Sequence, residues 1–324
     1  MHLTILSRGT SVHTTRRLVE AARSLGHRSR VIDPLQVQMG LSGKGPQLFL
    51  NDRALGRTDV VIPRVAPSVG EYGLALVNHF DMGGVAVLND AIAIDQSRNK
   101  MRLMQLLARE GIRVPPTVIG RGASELKKMV DVVGGFPVAI KILRTEERQG
   151  IIICESAQSM EAVAETVLAM GHDIIVQGYV KPGEGRDLRA LVVGGEVVAA
   201  VRRQPKAGKL HFNLSIGARV TRARLTKSQR EMAIESARVT GLEVAAVDLL
   251  ALKSGVTQVF EVYSNPGLRD LEAATGDDLA LPIIERALAL AQTRRKLVAL
   301  NRPRPIDIRP RPLLASQRAS ARRV

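Results

Sequence analysis

No tryptophan occurs in this chain of 324 residues, and only three tyrosines and five phenylalanines do. A core must therefore be built from Val, Leu, Ile and Ala, and with no aromatics among the arginines of residues 293–324, base stacking there is not expected. The single cysteine, Cys154, excludes an intrachain disulfide framework and any multi-cysteine zinc site. It sits in an apolar run and is expected to be inert core. The six histidines are scattered without metal-ligand spacing. G-x-S-x-G, C-x-x-C, H-E-x-x-H and Walker A patterns are all missing, which removes the usual nucleophile, redox, zinc-hydrolase and P-loop chemistries. No run approaches about 18 uninterrupted apolar residues, so no membrane span is expected. The opening MHLTILSRGT has too short an apolar run for a signal peptide and reads as a first strand. A cytoplasmic protein with no membrane partner is the expectation.

What is present is ample apolar material, 45% of residues, and an excess of positive charge. The 47 basic and 31 acidic residues leave a net charge of +16. Residues 293–324 hold ten Arg or Lys against Asp307 alone, so +9 of that total lies in this segment. Pro303, Pro305, Pro310 and Pro312 oppose helix there. The segment reads as a disordered basic tail, either a solubilising appendage or a contact for polyanions such as RNA or the ribosome through phosphate charge.

Ahead of it, the pattern predicts strands at 3–7, 29–33, 59–63 and 85–88 alternating with helices at 14–25 and 69–80, and a loop or hairpin over 39–57. That alternation implies a doubly wound α/β domain over 1–95. A helix is predicted over 97–110. Beyond it come strands at 136–143, 151–154 and 174–180, and hairpins at 187–203 around Gly194–Gly195 and at 244–263 around Ser254–Gly255. Helices are predicted at 159–170, 228–240 and 278–291. This α+β part, 96–292, is expected to form the second domain.

Charges inside its apolar strands stand out. Lys141 interrupts Val138–Leu143, and burying an unpaired ammonium is costly. Asp248 interrupts Ala245–Leu250, and Glu261 interrupts Gln258–Val262 on the expected hairpin partner. Each alone is compatible with a charge at a sheet edge. Together with Lys100 they offer two lysines for phosphates and two carboxylates for Mg²⁺, which reads as an ATP site.

The stretches LTILSR (3–8), VIDPL (31–35), VIPR (61–64), LND (88–90), RNKMRLMQLLAREGIRVP (98–115), GGFPVAIK (134–141), IIVQGYVK (174–181), RDLRALVVGGEVVAAVRR (186–203), AAVDLL (245–250), FEVYSNPGL (260–268) and ATGDDLA (274–280) resemble, in order and spacing, the RimK family of ATP-grasp glutamate ligases. The resemblance runs from Met1 to about Ala291. It implies a two-lobed ATP-grasp domain after the N-terminal domain, and a homo-oligomer. It also implies ATP and Mg²⁺ as cofactors and a carboxylate phosphorylated before an amine attacks. By position, Lys100 and Lys141 would contact phosphates. Gln177, Gly178, Tyr179 and Val180 would form the hinge strand beside adenine, and Asp187 would hold the ribose side. Arg189 and Arg203 would be catalytic, neutralising phosphoryl charge. His211 and Asn213 would face the phosphates, and Asp248 and Glu261 would bind the metal.

The chain also departs from the family pattern. The glycine-rich phosphate loop reads Arg144–Gly150, with Glu146 and Glu147 where negative charge repels a triphosphate. His211 and Ile216 stand where the family has arginines. Tyr263 stands where it has a metal-binding Asn, and Gly178 replaces a hinge Glu. Each lost transition-state group typically costs about 2.7–4 kcal/mol. Two functions therefore stay open. One is an ATP-dependent ligase of reduced activity that adds a glutamate-like amino acid to a peptide or protein. The other is an inactive ATP-grasp pseudoenzyme acting as a binding or regulatory scaffold, with RNA or the ribosome as a candidate partner through the basic tail.

Overall fold

The computed structural model describes residues 1–43, 45–142, 151–180, 185–204 and 219–300. Its elements run β1 (His2–Leu6), α1 (His13–Ser24), β2 (Arg28–Ile32), β3 (Val37–Ser42), β4 (Gly45–Leu50), β5 (Arg53–Ala54), β6 (Val60–Pro63), α2 (Gly70–Met82) and β7 (Ala86–Val87). They continue with α3 (Ala91–Arg98), α4 (Lys100–Arg109), β8 (Thr117–Gly120), α5 (Ala123–Lys128), β9 (Val138–Ile142), β10 (Ile151–Cys154), α6 (Ala157–Ala169) and β11 (Ile174–Gly178). The last are β12 (Gly185–Val193), β13 (Glu196–Gln204), β14 (Arg219–Arg222), α7 (Lys227–Val239), β15 (Val244–Leu252), β16 (Thr257–Tyr263), α8 (Arg269–Thr275) and α9 (Ala280–Leu300).

As the alternation implies, β2-β1-β6-β7 form a parallel four-stranded sheet. The stretch 39–57 is more ordered than a loop, because β3-β4-β5 pair as an antiparallel meander. The helix predicted over 97–110 is two helices. The side chain of Asn99 accepts from the Arg102 amide at 3.1 Å and caps α4, so the chain turns between Arg98 and Lys100. Two antiparallel sheets follow, β10-β9-β11-β8 and β14-β13-β12-β15-β16. Strand β8 and helix α5 fall where no element was predicted. The helix expected to end at Ala291 continues to Leu300, so the start of the basic segment 293–324 is helical. There Arg294 pairs with Asp81 at 3.0 Å and Arg295 with Asp59 at 2.5 Å. Among the described residues no helix is long and apolar enough to cross a membrane.

Each face of the five-stranded sheet has its own task. Leu188, Ala190, Val192, Val247 and Leu249 pack against α4 and α7. The opposite face is apolar at one end, where Leu191, Val193, Ala199 and Val201 join Leu3, Ile5 and Ile62 of the parallel sheet and Ile284 of α9 in one core. At its other end this face carries the charged residues described below. Cys154 is buried in a further core between the four-stranded antiparallel sheet and α6.

Asn89 ties the two halves together. Its amide donates to the carbonyls of Val244 at 2.7 Å and Ser264 at 2.9 Å, and its carbonyl accepts from the Val244 amide at 2.9 Å. Its φ of 66° is a conformation that Asn tolerates and β-branched residues do not. Removing this side chain would strand three buried backbone groups. Asn89→Ala is expected to lower stability by about 2–4 kcal/mol, read from the urea midpoint, with Asn89→Asp falling between it and the parent.

Candidate functional site

The polar end of the five-stranded sheet holds four buried charges on three neighbouring strands. Strand register makes them neighbours: Asp187 on β12 lies opposite Arg203 on β13, and Arg189 on β12 lies opposite Asp248 on β15. Arg189 grips Asp248 with Nε on Oδ1 at 2.6 Å and Nη2 on Oδ2 at 2.7 Å, the bidentate fork that planar guanidinium favours. Arg203 places Nε and Nη2 on Asp187 Oδ1 at 3.0 and 2.5 Å, and Nη2 also reaches Asp248 Oδ2 at 2.8 Å. Asp248 thus bridges both arginines. Burial pushes its carboxyl up, but the two guanidiniums outweigh burial and hold it below the usual carboxylate range. For Asp187 burial wins, with Asp248 adding repulsion, and its carboxyl is raised despite Arg203.

Beside this network, Glu261 on β16 lies opposite Asp248, and the register then skips Phe260. The bulge doubles the strand at this point and re-aims its side chains. Glu261 Oε1 lies 3.5 Å from Lys100 Nζ at the start of α4, and its Oε2 accepts from the Tyr263 hydroxyl. The Tyr263 ring lies 4.9 Å from the Arg189 guanidinium carbon. Lys141 comes from the other antiparallel sheet. Its ammonium sits 3.7 Å from the centre of the Phe260 ring and spans the space between the sheets. The residue is 3% exposed, and burial, with repulsion from Lys100, pushes its pKa down to about 7 despite Glu261. No ion pair to Lys141 forms among the described residues.

The structure therefore brings together Lys100, Lys141, Asp187, Arg189, Arg203, Asp248 and Glu261. Gln177 shares the face of β11 that lies toward Lys141, because it pairs with Ala139, two residues before Lys141 on β9. Its Nε2 donates to Thr117 Oγ1 at 2.7 Å, and its buried Oε1 has no partner. Gly178 is imposed by packing, since a Cβ there would lie 2.4 Å from the Val133 carbonyl oxygen. Tyr179 and Val180 follow β11, with the Tyr179 amide on the Pro137 carbonyl at 3.2 Å. His211, Asn213, Ile216 and the stretch 144–150 lie outside the described residues. For Asp187, expected beside a ribose, the partner observed is Arg203. The reason is register: the two residues face each other on adjacent strands. Sequence reasoning missed Phe260. The adjacent Phe-Glu pair, which breaks strand alternation, was the available signal.

Could this arrangement hold a metal? Asp248 already accepts three guanidinium hydrogen bonds, leaving about one of its four lone-pair positions. Glu261 Oε1 is only loosely held by Lys100. Among the described residues no three His, Cys, Asp or Glu side chains converge as a metal cage. The pair suits Mg²⁺ that arrives with other oxygen ligands, such as phosphates, and does not suit a bare ion.

Comparison with known proteins agrees along most of the chain. Residues 1–94 match the family model of the RimK PreATP-grasp domain, and residues 97–287 match that of the RimK-like ATP-grasp domain. The probable alpha-L-glutamate ligase 1 of Shewanella denitrificans is 40% identical over 285 residues, covering 88% of this chain and 96% of that protein. The ATP-grasp ligase PsnB, solved with a phosphomimetic variant of minimal precursor, Mg and ADP, superposes with a TM-score of 0.71 at 17% identity, over 90% of this chain and 98% of that one. The RimK domain protein ATP-grasp of Sphaerobacter thermophilus gives 0.70 at 20% identity, over 89% and 100%. These two likenesses carry the fold.

The network's asymmetry is testable. Asp248→Asn would leave two buried guanidiniums without their shared charge and is expected to cost about 3–5 kcal/mol. Asp187→Asn removes the carboxylate whose ionisation burial already opposes, and is expected to stay within about 1 kcal/mol of the parent. Chemical unfolding at neutral pH measures both.

Proposed function

This chain belongs to the RimK-like ATP-grasp family, and on that premise we propose that it is an ATP- and Mg-dependent carboxylate–amine ligase that joins a glutamate-like amino acid to a peptide or protein. The observation that carries the reading is Lys141, a buried cation that spans two sheets over an aromatic ring with no carboxylate paired to it. Such a group is stable when an anion completes it. Lys100 stands nearby on Glu261. Polyphosphate placed between these lysines would find excess positive charge, since Lys100, Lys141, Arg189 and Arg203 outnumber Asp187, Asp248 and Glu261 by one.

In this proposal Lys100 and Lys141 hold the phosphates, and Gln177 to Val180 form the hinge beside the base. His211 and Asn213 belong to the phosphate side. Glu261, with the remaining lone pair of Asp248, would hold Mg²⁺. Bound there with ATP, the metal would supply positive charge that offsets the charge of the phosphates. Arg189 and Arg203 are each gripped through Nε and Nη2, and among the described residues neither Nη1 is engaged. Each presents that fixed edge to the transferring phosphoryl group. Asp187 and Asp248 act as positioning residues for the arginines. A peptide or protein supplies the carboxylate acceptor. The basic segment 293–324 would add contact to RNA or the ribosome, and a homo-oligomer completes the proposal.

One observation favours a second reading, nucleotide binding with little turnover. Tyr263 sits on Glu261 and under Arg189, where it takes up acceptor capacity that a metal would use. ADP release measured with L-glutamate and candidate peptides separates the two. Turnover supports the ligase. ATP binding without ADP release under any acceptor supports the scaffold. If Tyr263 limits turnover, Tyr263→Asn is expected to raise kcat about tenfold or more while leaving KM for ATP unchanged.

Lys141 gives a pH signature. With its pKa near 7, the free protein carries a charged Lys141 below that pH and a largely neutral one above it. Polyphosphate favours the charged form, so binding takes up protons only above about pH 7, and affinity falls as pH rises. Calorimetry of MgATP binding in buffers of different ionisation enthalpy is expected to show uptake approaching one proton at pH 8, near zero at pH 6, and none attributable to this site in Lys141→Arg.

A further inference from the structure

The amino end of the parallel sheet gathers positive charge around one carboxylate. Asp59 precedes β6 and accepts from the His2 amide at 2.7 Å, from Arg57 Nε at 3.1 Å and from Arg295 Nη2 at 2.5 Å. Burial pushes its pKa up, but the His2 amide and the two guanidiniums outweigh burial and hold it at about 2. Arg28 opens β2 directly beside His2 of β1 and is exposed. Among the described residues its side chain forms no hydrogen bond or ion pair. Arg30, two residues on and on the same face of β2, donates from Nε to Thr4 Oγ1 at 3.0 Å and from Nη2 to the Gly56 carbonyl at 2.7 Å. No ion pair reaches it among the described residues, and burial pushes its pKa down. Lys296 adjoins Arg295 on α9 and is exposed, again without an ion pair among the described residues. Asp81, at the end of α2, is already matched by Arg294 at 3.0 Å. Five cations therefore share one carboxylate along this edge. Contacts join them: Arg57 and Arg295 through Asp59, Arg28 through His2, and Arg30 through Gly56, the residue before Arg57.

One unpaired arginine on a surface is ordinary, whereas a connected strip with this excess attracts polyanions. The chain continues the strip. Helix α9 runs on past Arg295 to Leu300, and residues 301–324 add seven arginines against Asp307. We propose that this edge docks a nucleic-acid duplex through its phosphate backbone. The proposal deepens the reading of residues 293–324 as an RNA contact and rests on it for the class of partner, but it places the contact on folded chain.

The chemistry selects a duplex over other polyanions. Single strands are held by stacking their bases on aromatic rings, and none of these residues is aromatic. A duplex keeps its bases inside and presents rails of phosphate, which guanidinium forks and ammonium groups meet without reading sequence. Interfaces with nucleic acid are also more polar and far more positive than those between proteins. Position fits as well. Arg64 follows β6 at the opposite end of the sheet and donates to the Pro266 carbonyl at 2.7 Å, so the loop that leaves β16 and its Glu261 meets that far end. The central strand β1 has five residues, which separate the two ends by about 16 Å. A duplex on the amino edge leaves the ATP cleft open, so the chain can hold a nucleic acid while it acts on a peptide.

The test is fluorescence anisotropy of the full chain with labelled RNA and DNA duplexes of one mixed sequence, about 20 base pairs long, over a salt series. The parent is expected to bind, and the duplex bound more tightly names the source. Arg28→Gln, Arg57→Gln and Lys296→Gln together are expected to weaken binding about tenfold or more and to lower the slope of log affinity against log salt by about 2–3. MgATP affinity should change less than about twofold. Arg28→Gln with Lys296→Gln breaks no side-chain bond and keeps the test open if the triple variant fails to fold. Lys128→Gln, Arg224→Gln and Lys253→Gln remove the same charge from exposed positions elsewhere and should change affinity less than about threefold. Equal loss in that control would overturn the proposal. So would a parent that binds neither duplex, or one that prefers single strands, polyglutamate or phosphatidylserine vesicles. Arg318→Gln, Arg322→Gln and Arg323→Gln together probe the basic tail alone. Loss there with none in the surface variants overturns this proposal and leaves the tail contact standing, whereas loss in the surface variants alone supports the proposal and sinks the tail contact.

Discussion

Two guanidiniums and two carboxylates buried on adjacent strands set the geometry on which the rest of the site depends. Such a network is a weak stabiliser, because desolvating four charges cancels much of their attraction. What it supplies is position. Asp248 takes bonds from Arg189 and Arg203 at once, so neither arginine can change rotamer without leaving a buried charge unmatched. The strands cannot slip by one residue either, because that would turn every one of these charges to the apolar face packed on α4 and α7. Register, core and site are thus one constraint.

Around the balanced network stand cations that are not balanced. Lys141 has an aromatic ring and a nearby carboxylate, Arg64 the Pro266 carbonyl, and Arg98 the Val65 carbonyl with Asp95 and Glu71 near enough to act on its charge. The contrast is informative in physical terms. A matched buried pair is complete as it stands, whereas an unmatched cation loses hydration without recovering it. Lys141 is the one that stands beside the Lys100–Glu261 pair.

Much of this was legible in the sequence because charge inside an apolar strand is conspicuous. Lys141, Asp248 and Glu261 could be singled out without any comparison, and the alternation of strands and helices at the start announced the parallel sheet. Arg189 and Arg203 came from resemblance, since arginines near strand ends are ordinary. Other features left no local signal. Asn89 works through three bonds to residues more than 150 positions away. The Phe260 bulge depends on how β16 pairs with β15. The split between α3 and α4 turns on Asn99 capping, within a stretch whose apolar periodicity reads as one helix. The Arg64 bond to the Pro266 carbonyl exists only once two distant loops meet.

Departures from a family pattern are easily taken for lesions, and the structure separates two kinds. Gly178, in place of a hinge Glu, is fixed by its surroundings: any side chain there would drive Cβ into the Val133 carbonyl 2.4 Å away. The Val133 backbone occupies the space that any side chain there would need. Tyr263 is different. It takes up room beside Glu261 and Arg189 and uses hydrogen-bonding capacity at the point where metal and phosphate would meet. A substitution absorbed by packing leaves the chemistry of the cleft intact, whereas one that competes for a site ligand alters it. On that criterion Gly178 says nothing about activity, and Tyr263 is the described residue on which the rate of transfer should turn.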